Sequence, residues 1–508
     1  MLIVMKFGGT SVGSAAALQQ VVDIVDNARK RGDRVVVVVS AMSGVTDMLL
    51  KGARQAERGD IETAHRAHKD MLARHADVID VFLSVDAIHD RVLEDIRGLL
   101  NEFDSLCHSI KVLGELTPRA LDVIGGMGER MNVRLVAAIL EARGIPARAL
   151  DAAQLIVTDS NYGSASPLMP QTTQHSQDVL GPPLDEGVVP VVTGFVGASE
   201  EGIVTTLGRG GSDYSATILG RALNADEVWI WTDVNGVMTA DPRVVPDART
   251  IPYLSYVEVG ELAYFGAKVL HPQAIRPARG SDMPVRILNT FEPDHAGTLI
   301  TKERHESGKT VKAVTAIKGM SLVVIEGSGM MGVPGVAART FGAVARTGTS
   351  VLMISQASSE QSICFVVPSG EAGRVLSALR DEMSREMERR DIESIEAQHD
   401  IVVLAVVGAG MQGTPGIASK VFGALGREQI NVVAVAQGSS EYNISIVVHH
   451  GDADHAVRAL HAEFNLGNQN GAVRDSPPFS TRPTAHAFRE AQEGGPSEPA
   501  RRTEDRSR

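Results

Sequence analysis

Residues 327–367 realign on residues 408–448 at a constant shift of 81, with no gap. Gly327, Gly329 and Met330 pair with Gly408, Gly410 and Met411. Gly332, Pro334 and Gly335 pair with Gly413, Pro415 and Gly416. Phe341-Gly342-Ala343 pairs with Phe422-Gly423-Ala424, Gln356 with Gln437, and Ser358-Ser359-Glu360 with Ser439-Ser440-Glu441. Self-similarity at one fixed period means a single supersecondary unit built twice. Each copy reads strand, Gly-Pro-Gly turn, helix, strand, turn, strand, and a further helix follows (373–389 and 453–464). The expectation is a βαββαβ module present twice. The repeat also accounts for two GxGxxG matches, at Gly327–Gly332 and Gly408–Gly413. That pattern after a strand is the dinucleotide fingerprint, but the units are too small for two Rossmann domains and each match runs on into Pro-Gly. Modules that regulate by binding a small ligand are the better reading.

Ahead of the repeat, to about residue 300, apolar strands alternate with helices. The strand expectations are 2–7, 34–39, 188–193, 203–207, 227–232 and 284–289. Continuous apolar runs such as Val35 to Val39 suit a parallel sheet covered on both faces. Residues 48–142 read as several helices that pack around this sheet and form part of a substrate lid. The segment 159–184, rich in Ser, Thr, Gln and Pro, reads as irregular and mobile. The expected organisation is a catalytic domain over 1–300, a linker over 301–312, modules over 313–392 and 393–470, and a disordered tail over 471–508. The tail mixes Pro, Gly, Ser, Arg and Glu with few apolar residues.

Two glycine loops carry the chemistry. At the start, Leu2-Ile3-Val4-Met5 runs into Lys6-Phe7-Gly8-Gly9-Thr10-Ser11-Val12 and then a helical pattern. Further on, Ile203-Val204 leads to Thr206-Leu207-Gly208-Arg209-Gly210-Gly211-Ser212-Asp213 and a second helix. Glycines before a helix let backbone N–H groups converge on an anion, and the helix N-terminus adds positive potential. Lys6 supplies a compact cation for a transferring phosphoryl group, Arg209 a forked one, and Asp213 a carboxylate. No GxxxxGK[ST] occurs, so these are not P-loops.

Composition narrows the partners. The net charge of −13 comes without a basic stripe and argues against nucleic acid. No apolar run is long enough to span a bilayer. The N-terminus lacks the pattern of a secretory signal. Cys107 and Cys364 form neither a disulfide framework nor a zinc pattern, which suits a reducing cytoplasm. His65, His68 and His75 read as a solvated helix face rather than a metal site.

The Lys6–Val12 loop, the Gly208–Asp213 loop, Trp231-Thr232-Asp233 and Phe265-Gly266-Ala267-Lys268-Val269-Leu270-His271-Pro272, in this order, resemble aspartate kinase. The resemblance covers 1–470, including two C-terminal ACT modules. It is nearer to the kinase half of threonine-sensitive aspartokinase–homoserine dehydrogenases than to lysine-sensitive enzymes. The chain stops where the dehydrogenase half would begin, so a monofunctional enzyme is expected. The resemblance implies the amino-acid kinase α/β/α sandwich and transfer of a phosphoryl group from MgATP to the side-chain carboxylate of L-aspartate. That acceptor is already ionised at neutral pH and needs no general base.

By resemblance, Lys6 neutralises the transferring group, Gly8 and Gly9 approach the phosphates, and Asp213 organises Lys6. Arg209 grips an aspartate carboxylate beside Ser212. Ser40 and Thr46 belong to the substrate loop, and Glu129 receives the substrate ammonium group. Thr232, Asp233, Arg243 and Lys268 match nucleotide contacts. The metal-binding residues are left unassigned. Met238 stands where many members carry a tyrosine next to the nucleotide. Gln356 and Gln437 match the glutamines of threonine-type regulatory modules, whereas Leu352 replaces an acid typical of lysine sensors. The effector expected is threonine first and lysine second, and the assembly a homodimer or homotetramer through the ACT modules. The alternatives are the same reaction in a specialised pathway (ectoine or an antibiotic precursor), another carboxylate kinase of the superfamily, or a catalytically dead amino-acid sensor.

Overall fold

The computed structural model describes residues 1–83, 87–266, 270–303, 310–357 and 361–467. Its first half is built on valine. Strand β1 (Leu2–Phe7) is followed by helix α1 (Ala15–Lys30) and then by β2 (Arg34–Val39), parallel to β1. Val35, Val37 and Val39 enter one hydrophobic core, and Val36 and Val38 the opposite one. This period-2 split is what a strand buried on both faces requires. The first core is closed by α1, α2 (Val45–Glu57), α3 (Glu62–Phe82), α4 (Ala87–Leu113), α5 (Pro118–Gly125) and α6 (Met127–Ala142). The second is closed by α7 (Met169–Asp185), α8 (Gly211–Ala222), α9 (Tyr256–Tyr264) and α10 (Pro272–Gly280). The result is an α/β/α sandwich.

The remaining strands of this half are β3 (Ala147–Leu150), β4 (Val157–Thr158), β5 (Val189–Thr193), β6 (Val196–Ser199), β7 (Val204–Thr206), β8 (Glu227–Thr232), β9 (Tyr253–Ser255), β10 (Val285–Asn289) and β11 (Thr298–Thr301). The main sheet runs β3-β5-β2-β1-β8-β10-β11-β9. All pairs from β3 to β10 are parallel, and β11 turns back antiparallel. Strand order reverses at β1, and ligands of open α/β sheets bind beyond the strand ends at such a point.

Three expectations need correction. The strand near 203–207 forms, but in a separate small sheet β4-β6-β7, antiparallel to β6. The segment 159–184 is not irregular throughout. From Met169 it is helical, because Leu180 and Leu184 bury against the second core and Thr172 Oγ1 bonds to the backbone of Val157. His75 is not on a solvated face: it is fully buried in α3, with Nδ1 on the Met71 carbonyl, and burial holds its imidazole below the ordinary range.

The second half is one six-stranded antiparallel sheet, β13-β14-β12-β15-β17-β16. It comprises β12 (Ala313–Glu326), α11 (Val336–Arg346), β13 (Met353–Gln356), β14 (Ser362–Pro368), α12 (Ser369–Glu382), α13 (Ser384–Glu388), β15 (Ser394–Val407), α14 (Ile417–Arg427), β16 (Ala434–Ala436), β17 (Asn443–His449) and α15 (Ala453–Glu463). The two long central strands pair along their whole length, Ala313 opposite Val407 and Glu326 opposite Ser394. Consequently residues 394–398 complete the first copy of the repeat, while residues 313–317, which precede both copies, complete the second. The glycines confirm the exchange. A side chain on Gly327 would strike the backbone of Asp391, and one on Gly408 would strike that of Thr310. Residues 310 and 391 are themselves 81 apart.

One face of this sheet packs on α9. Leu322, Met353, Val403 and Ala405 share a core with Val259 and Leu262. At the junction, Glu258 is 1% exposed and caps its own helix through Ser255. Its carboxylate also meets Lys312 Nζ at 3.2 Å and accepts the Ala409 N–H at 2.9 Å. Burial pushes this carboxyl up, but the ammonium and the N–H donors outweigh it and hold it below the ordinary carboxylate range. Removing one partner strands a buried charge, so Lys312→Met should cost about 3–5 kcal/mol in an equilibrium unfolding measurement. The double replacement with Glu258→Met should recover most of that loss, and additive single losses would refute the coupling.

Candidate active site

Three helix N-termini converge on the carboxyl end of β1. The N-cap residues of α2, α6 and α8 are Gly44, Gly126 and Gly210, none of which has a side chain to cap its helix. No side chain caps these ends; the first amides of α2 and α8, those of Val45 and Gly211, bond to the Met42 and Gly208 carbonyls, and the positive ends of these two helices favour an anion. Gly44 and Gly210 adopt φ of 81° and 71°, a left-handed conformation that costs glycine little. Between these ends lies a cleft of about 270 Å³ lined by Lys6, Ser40, Thr46, Glu129, Phe195 and residues 208–213. All seven residues expected to perform chemistry or bind the acceptor (Lys6, Ser40, Thr46, Glu129, Arg209, Ser212, Asp213) meet there.

The cleft gathers charges of both signs. Lys6 is 9% exposed, and its Nζ lies 2.5 Å from Asp213 Oδ1. Gly8 follows it, with its N–H bonded to the Trp231 carbonyl. Gly9 packs so closely on Ala41 and Ser43 that a side chain would meet the Ala41 oxygen at 3.0 Å. Arg209 is exposed, and among the described residues it forms no ion pair with an acidic side chain. In the same cleft Glu129 is 4% exposed and Oε2 has no hydrogen-bond partner. Burial raises its carboxyl from an ordinary 4.5 to about 7, against the opposing backbone bond of Ala41 and the charge of Lys6. A buried carboxyl with a free oxygen is built to receive a cation.

The residues expected at a nucleotide are less concentrated. Thr232 and Asp233 end β8, next to β1, with Trp231 opposite Phe7. They share the sheet edge of Gly8 but do not line the cleft. Arg243 is exposed and held by Asp241 through a two-pronged contact of 3.0 and 2.6 Å. Lys268 lies outside the described residues. Met238 is half-buried, its Sδ accepting from Thr250 Oγ1 at 3.6 Å. Among the described residues no group of three or more His, Cys, Asp or Glu side chains could hold a metal. Gln356 and Gln437 are exposed at the ends of the edge strands β13 and β16, far from this chemistry in the chain.

Several contributors were not anticipated. Phe195 lines the cleft in a left-handed conformation (φ 67°), uncommon for a bulky residue and held here by its N–H to Ser215 Oγ. Gly194 before it allows Ser212 to approach, since a Cβ would meet Ser212 Cβ at 2.6 Å. The Gly-Phe step after an apolar strand was the available signal. Asn132 is buried one helical turn beyond Glu129 and donates to the Ser40 carbonyl at 2.6 Å. His271 sits directly on Gly210. Burial, and then the Arg209 charge, keep its imidazole below the ordinary range against the pull of Asp213.

A twisted, mostly parallel sandwich with paired glycine loops at its switch point is a phosphotransferase architecture. A profile of the amino acid kinase family matches residues 1–289 and an ACT domain profile matches 323–383 and 404–464, so the chain belongs to the amino acid kinase family. Its relatives in that family are aspartokinases. It is 37% identical over 478 residues to the chloroplastic bifunctional aspartokinase/homoserine dehydrogenase 1 of Zea mays, covering 93% of this chain and 51% of that protein. It is 35% identical over 483 residues to chloroplastic aspartokinase 3 of Arabidopsis thaliana, covering 93% and 83%. The chain thus spans about half the length of the bifunctional relatives it matches. Among solved structures, E. coli aspartokinase III in complex with aspartate and ADP superposes with a TM-score of 0.78 at 29% identity, over 91% of this chain and 99% of that one. No described helix is long and apolar enough to cross a membrane.

Proposed function

We propose that this chain is an aspartate kinase, transferring the γ-phosphoryl group of ATP to the side-chain carboxylate of L-aspartate to give 4-phospho-L-aspartate. The observation that carries this reading is the cleft that gathers Glu129, Arg209 and Lys6. An α-amino acid with an acidic side chain needs those three groups. Glu129 receives the ammonium group. Arg209, beside Ser212, takes a carboxylate in a bidentate pair. Ser40 and Thr46 complete the substrate loop. The attacking carboxylate is ionised at neutral pH, so positioning and charge neutralisation do the catalysis. Lys6, held by Asp213, meets the charge of the transferring group. The amide of Gly9 approaches the phosphates, whereas the Gly8 N–H is held by the Trp231 carbonyl at 3.2 Å, and Thr232, Asp233, Arg243 and Lys268 serve the nucleotide. Mg²⁺ would be coordinated largely by nucleotide phosphates and water, as is usual where phosphates are the substrate.

The ACT modules are read as an effector sensor and an assembly surface. Gln356 and Gln437 close strands that border a cavity of about 450 Å³, lined by Leu352, Ala436, Gly438, Glu261 and Tyr264. An amide offers both a donor and an acceptor to a small hydroxyl-bearing zwitterion. Leu352 provides no partner for a lysine ammonium group, and Glu261, the acid in the lining, is already bonded by Asn443 Nδ2. Threonine is therefore the effector favoured, in a cytoplasmic homodimer or homotetramer joined through the modules, with the product feeding lysine, methionine and threonine synthesis. Ile354 and Val435, both exposed on edge strands, support such an assembly.

Hydroxamate formation with purified protein, MgATP and L-aspartate tests the reaction, with L-glutamate as control. Aspartyl hydroxamate is expected, and no aspartate turnover would remove the proposal. Threonine should suppress the signal, and Gln356→Ala or Gln437→Ala should raise its half-inhibitory concentration about tenfold, as the loss of a hydrogen bond or two implies. Indifference of the wild type to millimolar threonine would sink the effector assignment alone.

A further inference from the structure

Asp122 lies outside the cleft and is 3% exposed. Its carboxylate accepts three hydrogen bonds from two distant segments. Oδ1 takes the Thr206 hydroxyl at 2.6 Å, and Oδ2 takes the Thr206 N–H at 3.0 Å and the Gly163 N–H at 2.9 Å. Among the described residues no basic side chain pairs with it. A buried carboxylate satisfied by backbone and hydroxyl donors, rather than by a cation, is a mechanical tie whose cost must be offset by geometry it holds.

The tie joins two parts of the acceptor site. On one side, Asp122 belongs to α5, and its carbonyl accepts the Gly126 N–H, so the chain runs almost continuously into α6 and Glu129. Seven residues of helix separate Asp122 from Glu129, about 10 Å of nearly rigid rod. On the other side, Thr206 ends β7 two residues before Gly208, and Arg209 follows. Gly163 braces the same turn: a side chain on Gly208 would meet the Gly163 oxygen at 3.2 Å. One carboxylate therefore couples the helix that carries Glu129 to the loop that carries Arg209.

We infer that Asp122 is a positioning residue that sets the separation of Glu129 and Arg209, and so the grip of the site on its amino-acid acceptor. The inference rests on the aspartate kinase reading, in which those two residues hold the ammonium group and a carboxylate of the substrate. The test is steady-state kinetics of Asp122→Asn, Thr206→Val and Thr206→Ser, with the wild type alongside. Asp122→Asn and Thr206→Val should each raise the aspartate KM at least tenfold, with the ATP KM within twofold of wild type. Thr206→Ser keeps the hydroxyl donor and should behave as wild type. Should Asp122→Asn fail to fold, Thr206→Val carries the test, since it removes one hydroxyl from a strand end. An unchanged aspartate KM in a variant of wild-type melting temperature overturns the inference, as does an equal rise in both KM values. A wild type that ignores aspartate would instead remove the functional reading beneath it.

Discussion

Replacing Lys6 with methionine is expected to lower kcat for aspartate phosphorylation by roughly 10²–10³-fold, the usual cost of losing a preorganised charge aimed at a transition state. Lys6 is nearly buried, and its ammonium is held 2.5 Å from Asp213. In such a setting a cation is worth far more than in water, because little solvent is present to screen it. The aspartate KM should change little, since Glu129 and Arg209 remain. Arginine should not rescue, because its planar fork cannot occupy the place of a compact ammonium beside Gly8, whose Cβ would lie 3.4 Å from Lys6 Nζ. A kcat within about threefold of wild type in Lys6→Met would mean that another group neutralises the transferring phosphoryl.

Glu129→Gln should separate function from stability. The isosteric amide cannot balance an ammonium charge, so the aspartate KM should rise about 10- to 100-fold, as expected for a lost hydrogen bond between charged groups. Stability should move the other way. The native carboxyl titrates near 7 rather than 4.5 because it is buried. Its native pKa is thus raised above the unfolded value, and the protonated group favours the fold fully only below about pH 4.5. That contribution is lost as pH rises through 7, so at pH 8 the ionised group costs on the order of 3 kcal/mol relative to a neutral one. Glu129→Gln should therefore unfold later than wild type at pH 8, with the gap shrinking toward pH 5. The same titration predicts that kcat/KM for aspartate in the wild type falls as pH drops below about 7, where Glu129 becomes neutral. A pH-independent stability difference would show that Glu129 is already ionised and paired in the free protein.

Much of the catalytic centre is legible locally. Lys6-x-Gly8-Gly9 and Gly208-Arg209-Gly210-Gly211 announce themselves because a glycine loop between a strand and a helix has few other uses. The six strand expectations all fall on strands, since buried parallel strands are continuous apolar runs. What local reading misses is set by partners remote in sequence. Phe195 acquires its left-handed backbone from Ser215 and Gly211. Met169–Asp185 becomes helical because a core awaits Leu180 and Leu184, although its Ser, Thr, Gln and Pro content suggests a loop. Asp122 is one acid among 62 Asp and Glu residues until Thr206 and Gly163 are brought to it from 84 and 41 positions away.

The sequence by itself determined that two like modules follow a phosphate-handling α/β half, and which side chains that half would gather. Periodicity and glycine chemistry are local, and they need no knowledge of what packs where. Only the tertiary structure decided how the modules are completed. The spacing of 81 is silent on whether each copy closes itself. Pairing β12 with β15 end to end gives residues 313–317 to the second module and residues 394–398 to the first, because hydrogen-bonded strand edges are satisfied by whichever backbone reaches them. The same pairing brings Ala409 and Lys312 to Glu258, and so joins the regulatory sheet to the helix ahead of His271 and the glycine loop.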